Sequence, residues 1–509
     1  MDCSDHVVVD EISDLQSLSK QDLIERIVEL TREKQELLKK LDTSSVIEQQ
    51  LDGNNGDNLV CKTPEEHHSP KDRGTNKKPE TASRGSGKQK PFDFTGYHKR
   101  HIALKMAYLG WDFHGFASQE STENTIESHF FAALSKACLV ENRADSNYSR
   151  CGRTDKGVSA FSQVVSLDVR SNLAEGLGLI MGGDQEKVEK RIENAKEVSE
   201  IPYAHVLNKL LPPEIRIIAW MPVDQEFDAR FSCLHRTYKY FFPAANVDVD
   251  VMNQAAQKLV GEHDFRNFCK MDVSNGVVAF ERELLSFTVH KIKNGSQSCN
   301  GYEMCELTIC GSAFLWHQVR CMVAVLLMIG QNLENPEVID WMLDIKQCRS
   351  RPQYNMASEI PLVLYDCCYE QLSWKHESGI LEALLKDFQT QWTTHAIKAI
   401  VLTNVIGRLD DSAVIKDVDD NKVWLCDSDK GDKIVTWRDM KQPQCHQLIP
   451  LVPFQVMTKA HKPLMKRAVH KSFESKLKTV NAKRRKVGKE EFSEKASNAH
   501  GANSDPVTF

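Results

Sequence analysis

The chain has 509 residues, 41% of them hydrophobic and 27% charged, with a formal net charge of −6 at pH 7. That length accommodates two to four structural units with a sizeable core, and the acidic balance excludes indiscriminate binding to polyanions, so any nucleic-acid surface has to be local. The 15 cysteines are scattered without a CxxC pair, which excludes the common zinc and disulfide frameworks and reads as reduced, intracellular thiols.

The opening MDCSDHVVVDEISD lacks the basic start and apolar run of a signal peptide. Leu23, Ile27, Leu30, Leu37 and Leu41 then recur at four- and three-residue steps, which predicts an amphipathic helix or short coiled coil over about 19–42. Residues 43–98 are rich in Ser, Asn, Gly, Lys and Pro and read as a disordered linker. The first 98 residues are thus a helix and a linker.

The folded region is expected from about Lys99. A strand over His101–Leu109 runs into the glycine-punctuated turn Gly110-Trp111-Asp112-Phe113-His114-Gly115-Phe116. Asn124 followed by Glu127 marks a helix start, with Ile126, Phe130, Leu134 and Cys138 on one face. Phe161, Val165, Leu167 and Val169 mark a strand, and the charged, glycine-spotted stretch 171–200 reads as a surface insertion. A helix around Tyr203–Leu211 and a strand over Ile215–Val223 complete a first half, 99–223, whose element order suits an α+β unit of split-βαβ type.

A second half, 224–370, repeats the order without repeating the sequence. It holds an alternating strand over Arg236–Phe242, a helix striped by Val251, Ala255 and Leu259, strands near 284–291 and 303–310, and helices over His317–Met328 and from Pro336 to Ile345. Its last strand is Pro361–Cys368. The longest apolar run of the chain, Cys321–Ile329, is too short to cross a bilayer. An extension, 371–455, contains one amphipathic helix through Leu381, Leu384, Phe388, Trp392 and Ile400. The remainder, 456–509, is Lys/Arg-rich, including Lys483-Arg484-Arg485-Lys486, and reads as a largely disordered basic tail: a nuclear address, a nucleic-acid patch or a solvated end.

The stretch SRCGRTDKGVSA, 149–160, concentrates chemistry. Arg150, Arg153, Asp155 and Lys156 lie around a turn bracketed by Gly152 and Gly157. Cations hold a nearby carboxylate ionised, and an ionised carboxylate at a loop tip serves as nucleophile or base while the cations suit phosphates. Taken alone, the same residues also make an ordinary solvated turn whose Asp caps its own backbone.

Four motifs taken together resolve that choice. Gly152-Arg153-Thr154-Asp155-Lys156-Gly157-Val158, Phe227-Asp228-Ala229-Arg230-Phe231-Ser232, Arg236-Thr237-Tyr238-Lys239-Tyr240 and Ala313-Phe314-Leu315-Trp316-His317-Gln318-Val319-Arg320 occur in this order. Over roughly 99–370 the chain resembles the TruA-type tRNA pseudouridine synthases, and within them the eukaryotic branch that acts on tRNA positions 38 and 39. It departs from the family's usual first strand at Leu109, and from the bacterial members at Lys156 and Ser159.

The resemblance implies a pseudouridine synthase fold: two RRM-like halves sharing a mostly antiparallel mixed sheet. It implies an isomerase that turns uridine into pseudouridine in the anticodon stem-loop, without metal or nucleotide cofactor. Asp155 takes the catalytic place, Arg320 the cation that pairs with it, and Tyr238 the active-site phenol, which by periodicity alone is equally a strand aromatic. Arg153 is a wedge or phosphate contact, or a loop cation closing on Asp155. Arg150, Lys156, Arg230, Arg236, Lys239 and His317, with Lys209, are candidates for phosphate and ribose contacts. Leu362 and Leu364 line the uracil pocket or pack the core. The expected partners are tRNA and a second copy of the chain, with no membrane and no metal, in nucleus and cytoplasm. The alternative is a non-catalytic tRNA-binding protein of the same fold.

Overall fold

The computed structural model describes residues 92–195, 198–244, 247–292, 304–370, 372–410, 414–418, 421–425 and 461–492. The helix expected at 19–42 and the linker up to 91 lie outside the described residues, as does the last part of the tail.

Strand β1 (His98–Tyr108) is buried along almost its whole length. It begins earlier than its apolar run because the Arg100 guanidinium is satisfied by Glu200, at 2.8 Å, and by the carbonyl of Leu177. Helix α1 (Ile126–Lys136) buries Ile126, Phe130 and Leu134 as the stripe predicts. Its cap is Thr125, whose hydroxyl accepts from the Ser128 amide, while Asn124 instead donates to Asp112; Cys138 lies past the helix end at positive φ. After β2 (Ser149–Arg150) and the Asp155 turn, β3 (Ser159–Ser171) runs back along β1, pairing antiparallel from His98↔Ser171 to Tyr108↔Ala160.

The segment 171–200 is not a mere surface insertion. It supplies β4 (Leu179–Ile180) to the edge of β1 and helix α2 (Gln185–Asn194). Gly178, at φ +74°, lets this backbone approach so closely that a Cβ would sit 2.4 Å from the Val223 carbonyl. The contact is made by backbone, so no apolar pattern announces it. Helix α3 (Tyr203–Asn208) and β5 (Ile215–Pro222), which lies beside β1, complete the first half.

The second half consists of β6 (Cys233–Pro243), α4 (Val249–Gln257), β7 (Gly261–Asp264), β8 (Glu281–Lys291), β9 (Met304–Gly311), α5 (Gln318–Gly330), α6 (Glu337–Leu343) and β10 (Leu362–Tyr369). The strands of both halves form one ten-stranded sheet, whose main path is β4-β1-β3-β10-β6-β9-β8-β7. Every pairing is antiparallel except the short parallel one between β3 and β10, where Val363 and Leu364 meet Ser159 and Ala160. That parallel contact joins the halves, and it begins four residues after Asp155. This is an α+β fold of the class the sequence predicts. Each half has its own core, one around Leu104, Phe130 and Tyr203, the other around Phe265, Phe287 and Met322, and Tyr238 packs against both.

Beyond the sheet, α7 (Ile380–Asp410) is followed by a hairpin of β11 (Val414–Val418) and β12 (Asn421–Leu425). The tail is ordered where a disordered end was expected: 461–492 includes α8 (Phe473–Lys486), with Leu464 and Phe473 buried in the second core. Few apolar anchors stand among many lysines there, so average composition hides them.

Candidate active site

The Asp155 turn is fixed by the glycine-punctuated turn 110–116. The Phe116 amide donates to the Thr154 carbonyl at 3.1 Å, and the Gly157 amide to the Phe113 carbonyl at 3.2 Å. The Tyr108 hydroxyl meets that of Thr154 at 2.8 Å, and the Gly110 amide donates to the Ser159 hydroxyl. Gly110 is required by this approach, since a Cβ there would lie 2.0 Å from the Val158 carbonyl oxygen. The first half therefore presents Asp155 on a backbone that has little room to move.

The second half supplies the cations. His317 occupies the N-cap position of α5 in the left-handed region, at φ 61°, with its imidazole on the Asp155 loop. Its Nε2 is 3.3 Å from Asp155 Oδ2. Three residues on, almost one helical turn, Arg320 places Nη1 3.8 Å from the same oxygen. Arg320 is in turn held from behind: Nη2 donates to Glu359 at 2.7 Å, and Nε to the Ala357 carbonyl at 2.8 Å. Because α5 is otherwise buried on nearly all sides, a guanidinium in its first turn needs such partners. The Asp155 side chain stays 26% exposed, so the oxygens remain open to an incoming ligand.

Tyr238 sits half-buried on β6, across Leu364 of β10, which itself pairs with Ala160 of β3. Its backbone therefore lies level with the end of the Asp155 loop, with β10 between them. Its ring edge meets Phe314 at 5.1 Å, and burial raises its pKa well above the usual tyrosine value, so it is neutral at physiological pH.

Of the residues expected at the site, Asp155, His317 and Arg320 come together in side-chain contact, whereas Tyr238 packs between the two cores with its ring against Phe314. Arg153 and Lys156 are exposed on the loop beside Asp155, and Arg230 is exposed over the Phe231 ring. Lys209 is exposed on the first half. Others are engaged inside the protein. Arg150 pairs with the buried Glu127. Arg236 donates to the carbonyls of Cys233, Ser312, Cys151 and Arg230, which makes it a staple between chain segments rather than a phosphate ligand. Lys239 is neutralised by Glu306 at 2.7 Å and covered by the Tyr365 ring. Leu362 and Leu364 are core residues, buried against opposite halves.

Glu359 is the residue that sequence reasoning missed. A guanidinium left only 12% exposed, with five donors, needs more acceptors than one carboxylate shared with a histidine, and that shortage was the available signal. Among the described residues, no cluster of His, Cys, Asp or Glu is arranged to hold a metal ion.

These groups form a partly exposed carboxylate, fixed by backbone, facing two basic side chains delivered by the second half. Such an arrangement can keep the acid aimed once a ligand displaces water.

A family profile described as tRNA pseudouridine synthase matches residues 255–370. A tRNA pseudouridine(38/39) synthase of Bos taurus is 47% identical over 405 residues, 78% of this chain and 80% of the relative. The Homo sapiens protein of that name is 45% identical over 401 residues, with the same coverage, and the Saccharomyces cerevisiae protein 42% identical over 327 residues, 63% of this chain and 68% of the relative. With identity of this degree running through both halves of the sheet, the chain belongs to the tRNA pseudouridine synthase family.

Proposed function

We propose that this protein isomerises uridine to pseudouridine in the anticodon stem-loop of tRNA, at positions 38 and 39, the positions that name its animal and yeast relatives. The observation that carries the reading is the Asp155 carboxylate at the junction of the halves, 3.3 Å from His317 and 3.8 Å from Arg320. The reaction breaks the N1–C1′ bond, turns the uracil over and joins C5 to C1′; the C5 proton leaves and N1 gains one. Nothing external is transferred. What the protein must provide is an ionised carboxylate beside the sugar of an everted nucleotide, and a neutral phenol against the base. Asp155 acts by addition to C1′ or C6, or by taking the C2′ proton. Tyr238 stacks on the base, and Arg320 keeps Asp155 aimed. Arg153 and Lys156, exposed on the same loop, meet the phosphates that flank the everted nucleotide.

The working assembly is a homodimer with tRNA spanning both subunits. The family resemblance supports this, together with Leu385, Trp392 and Ile400, which are exposed on α7 at helical spacing. The protein works in nucleus and cytoplasm, a reading supported by the Lys483–Lys486 run. Mapping pseudouridine by position in tRNA from cells lacking the protein tests the function. Restoration by wild type at 38 and 39, and not by Asp155→Asn, is expected. If Asp155→Asn restores the modification, the role of Asp155 is refuted; if wild type restores none while binding tRNA, the non-catalytic reading takes its place.

A further inference from the structure

We propose that residues 461–492 form a second grip on the RNA phosphate backbone, continuous with the cleft at Asp155. The inference rests on the tRNA reading above and extends it to where the rest of the molecule is held.

The segment carries eleven Lys and Arg against three Glu, in a chain whose net charge is −6. A solvated tail would leave such charge loose; here it is fixed on the second half. Leu464 is fully buried, and the Phe473 ring meets Phe280 edge-on at 5.3 Å. Glu334 accepts the Leu464 amide at 2.6 Å and faces His461 at 2.7 Å. The backbone then pairs with the 351–357 loop: the Gln353 amide donates to Ala468, and the His470 amide to Arg351. That loop ends at Ala357, whose carbonyl holds Arg320.

Helix α8 sorts its residues by face. Phe473, Leu477 and Val480 pack inward, and Asn481 is tied to Phe492. Lys478, Lys483 and Lys486 point away, are exposed, and have no ion-pair partner among the described residues. From α8 a cationic path leads to the site. Lys476 is half-buried, and burial lowers its pKa, with smaller contributions from Arg351 and Lys270 that Cys269 opposes. Lys270 stands 4.0 Å over the Trp316 ring, and the Trp316 ring lies 4.8 Å from that of His317, tilted by 40°, with His317 the partner of Asp155. A polyanion following this path enters the cleft beside the carboxylate.

The test uses the full chain and an unmodified tRNA transcript. In Lys478→Gln/Lys483→Gln/Lys486→Gln, tRNA affinity at moderate salt should fall about tenfold or more, and the slope of log affinity against log salt should become shallower by about 2–3 units, near 0.7–0.9 per lost phosphate contact. Lys270→Gln should flatten the slope by about one further unit. The single-turnover rate of the triple variant at saturating enzyme should match wild type, as should its melting temperature, because those side chains are exposed. An unchanged affinity and slope overturns the inference. Pseudouridine formation by wild type, scored in the same samples, reports separately on the function proposed above.

Discussion

Two carboxylates in this protein each face a pair of basic side chains, and they differ in how completely they are satisfied. Glu127 is 1% exposed and receives Arg143 at 2.6 Å, Arg150, and the Ser118 amide at 2.8 Å. Burial alone would raise its pKa, but the two guanidiniums and the amide outweigh that and hold it below the usual glutamate range. Asp155 is 26% exposed, and its two basic neighbours stand at 3.3 and 3.8 Å from a single oxygen. Glu127 has its bonding capacity filled and serves to pin α1 to β2. Asp155 keeps unfilled capacity and faces outward, which is what a group that must engage a substrate requires. The cations of Asp155 include loop neighbours in sequence, whereas those of Glu127, Arg143 and Arg150, arrive from 16 and 23 positions away, so saturation in the fold, not charge along the chain, distinguishes the two acids.

The contrast can be broken by substitution. Asp155→Ala should lower pseudouridine formation by about a thousandfold or more, with tRNA affinity and melting temperature kept. Loss of folding with it would make Asp155 another Glu127. Glu127→Gln should do the reverse, costing about 3 kcal/mol of stability, the low end for a broken buried pair because Arg143 retains access to water. Turnover per folded molecule should be unaffected, as read by denaturant titration alongside initial rates.

The same pair sharpens in acid. The folded pKa of Glu127 is lowered, below the unfolded value near ~4.3. Its contribution to stability is therefore present above that unfolded value and disappears as pH falls through the folded one. Melting temperature against pH should accordingly drop less steeply in acid for Glu127→Gln than for wild type. The smallest effect belongs to Arg320→Lys, which keeps the charge but loses the fork that reaches Asp155, Glu359 and Ala357 together. A fall in turnover of about tenfold to a hundredfold is expected, with little change in tRNA affinity.

How much of this the sequence discloses depends on what signals a residue. Strands β1 and β3 and helix α5 stand out because long apolar runs have few alternatives, and the TruA-like motifs point to Asp155, Tyr238 and Arg320 before any coordinates. Glu359 has no such mark: it precedes β10 as one acid among many, and only the position of Arg320 gives it meaning. Arg150 and Arg236 read as RNA contacts because they neighbour Asp155 in sequence or motif. Their partners, a helix residue more than twenty positions away and four scattered carbonyls, are set by tertiary packing. The stretches 171–200 and 461–492 read as insertion and tail because their order comes from backbone pairing and a few apolar anchors, to which composition is blind.

The most direct test of the central claim is the single-turnover rate of pseudouridine formation by Asp155→Asn at enzyme concentrations that saturate tRNA. The substitution preserves shape and removes the charge. Full occupancy of tRNA with no product is the predicted result. Product at the wild-type rate would show that the carboxylate at the junction of the two halves is not where the chemistry is done.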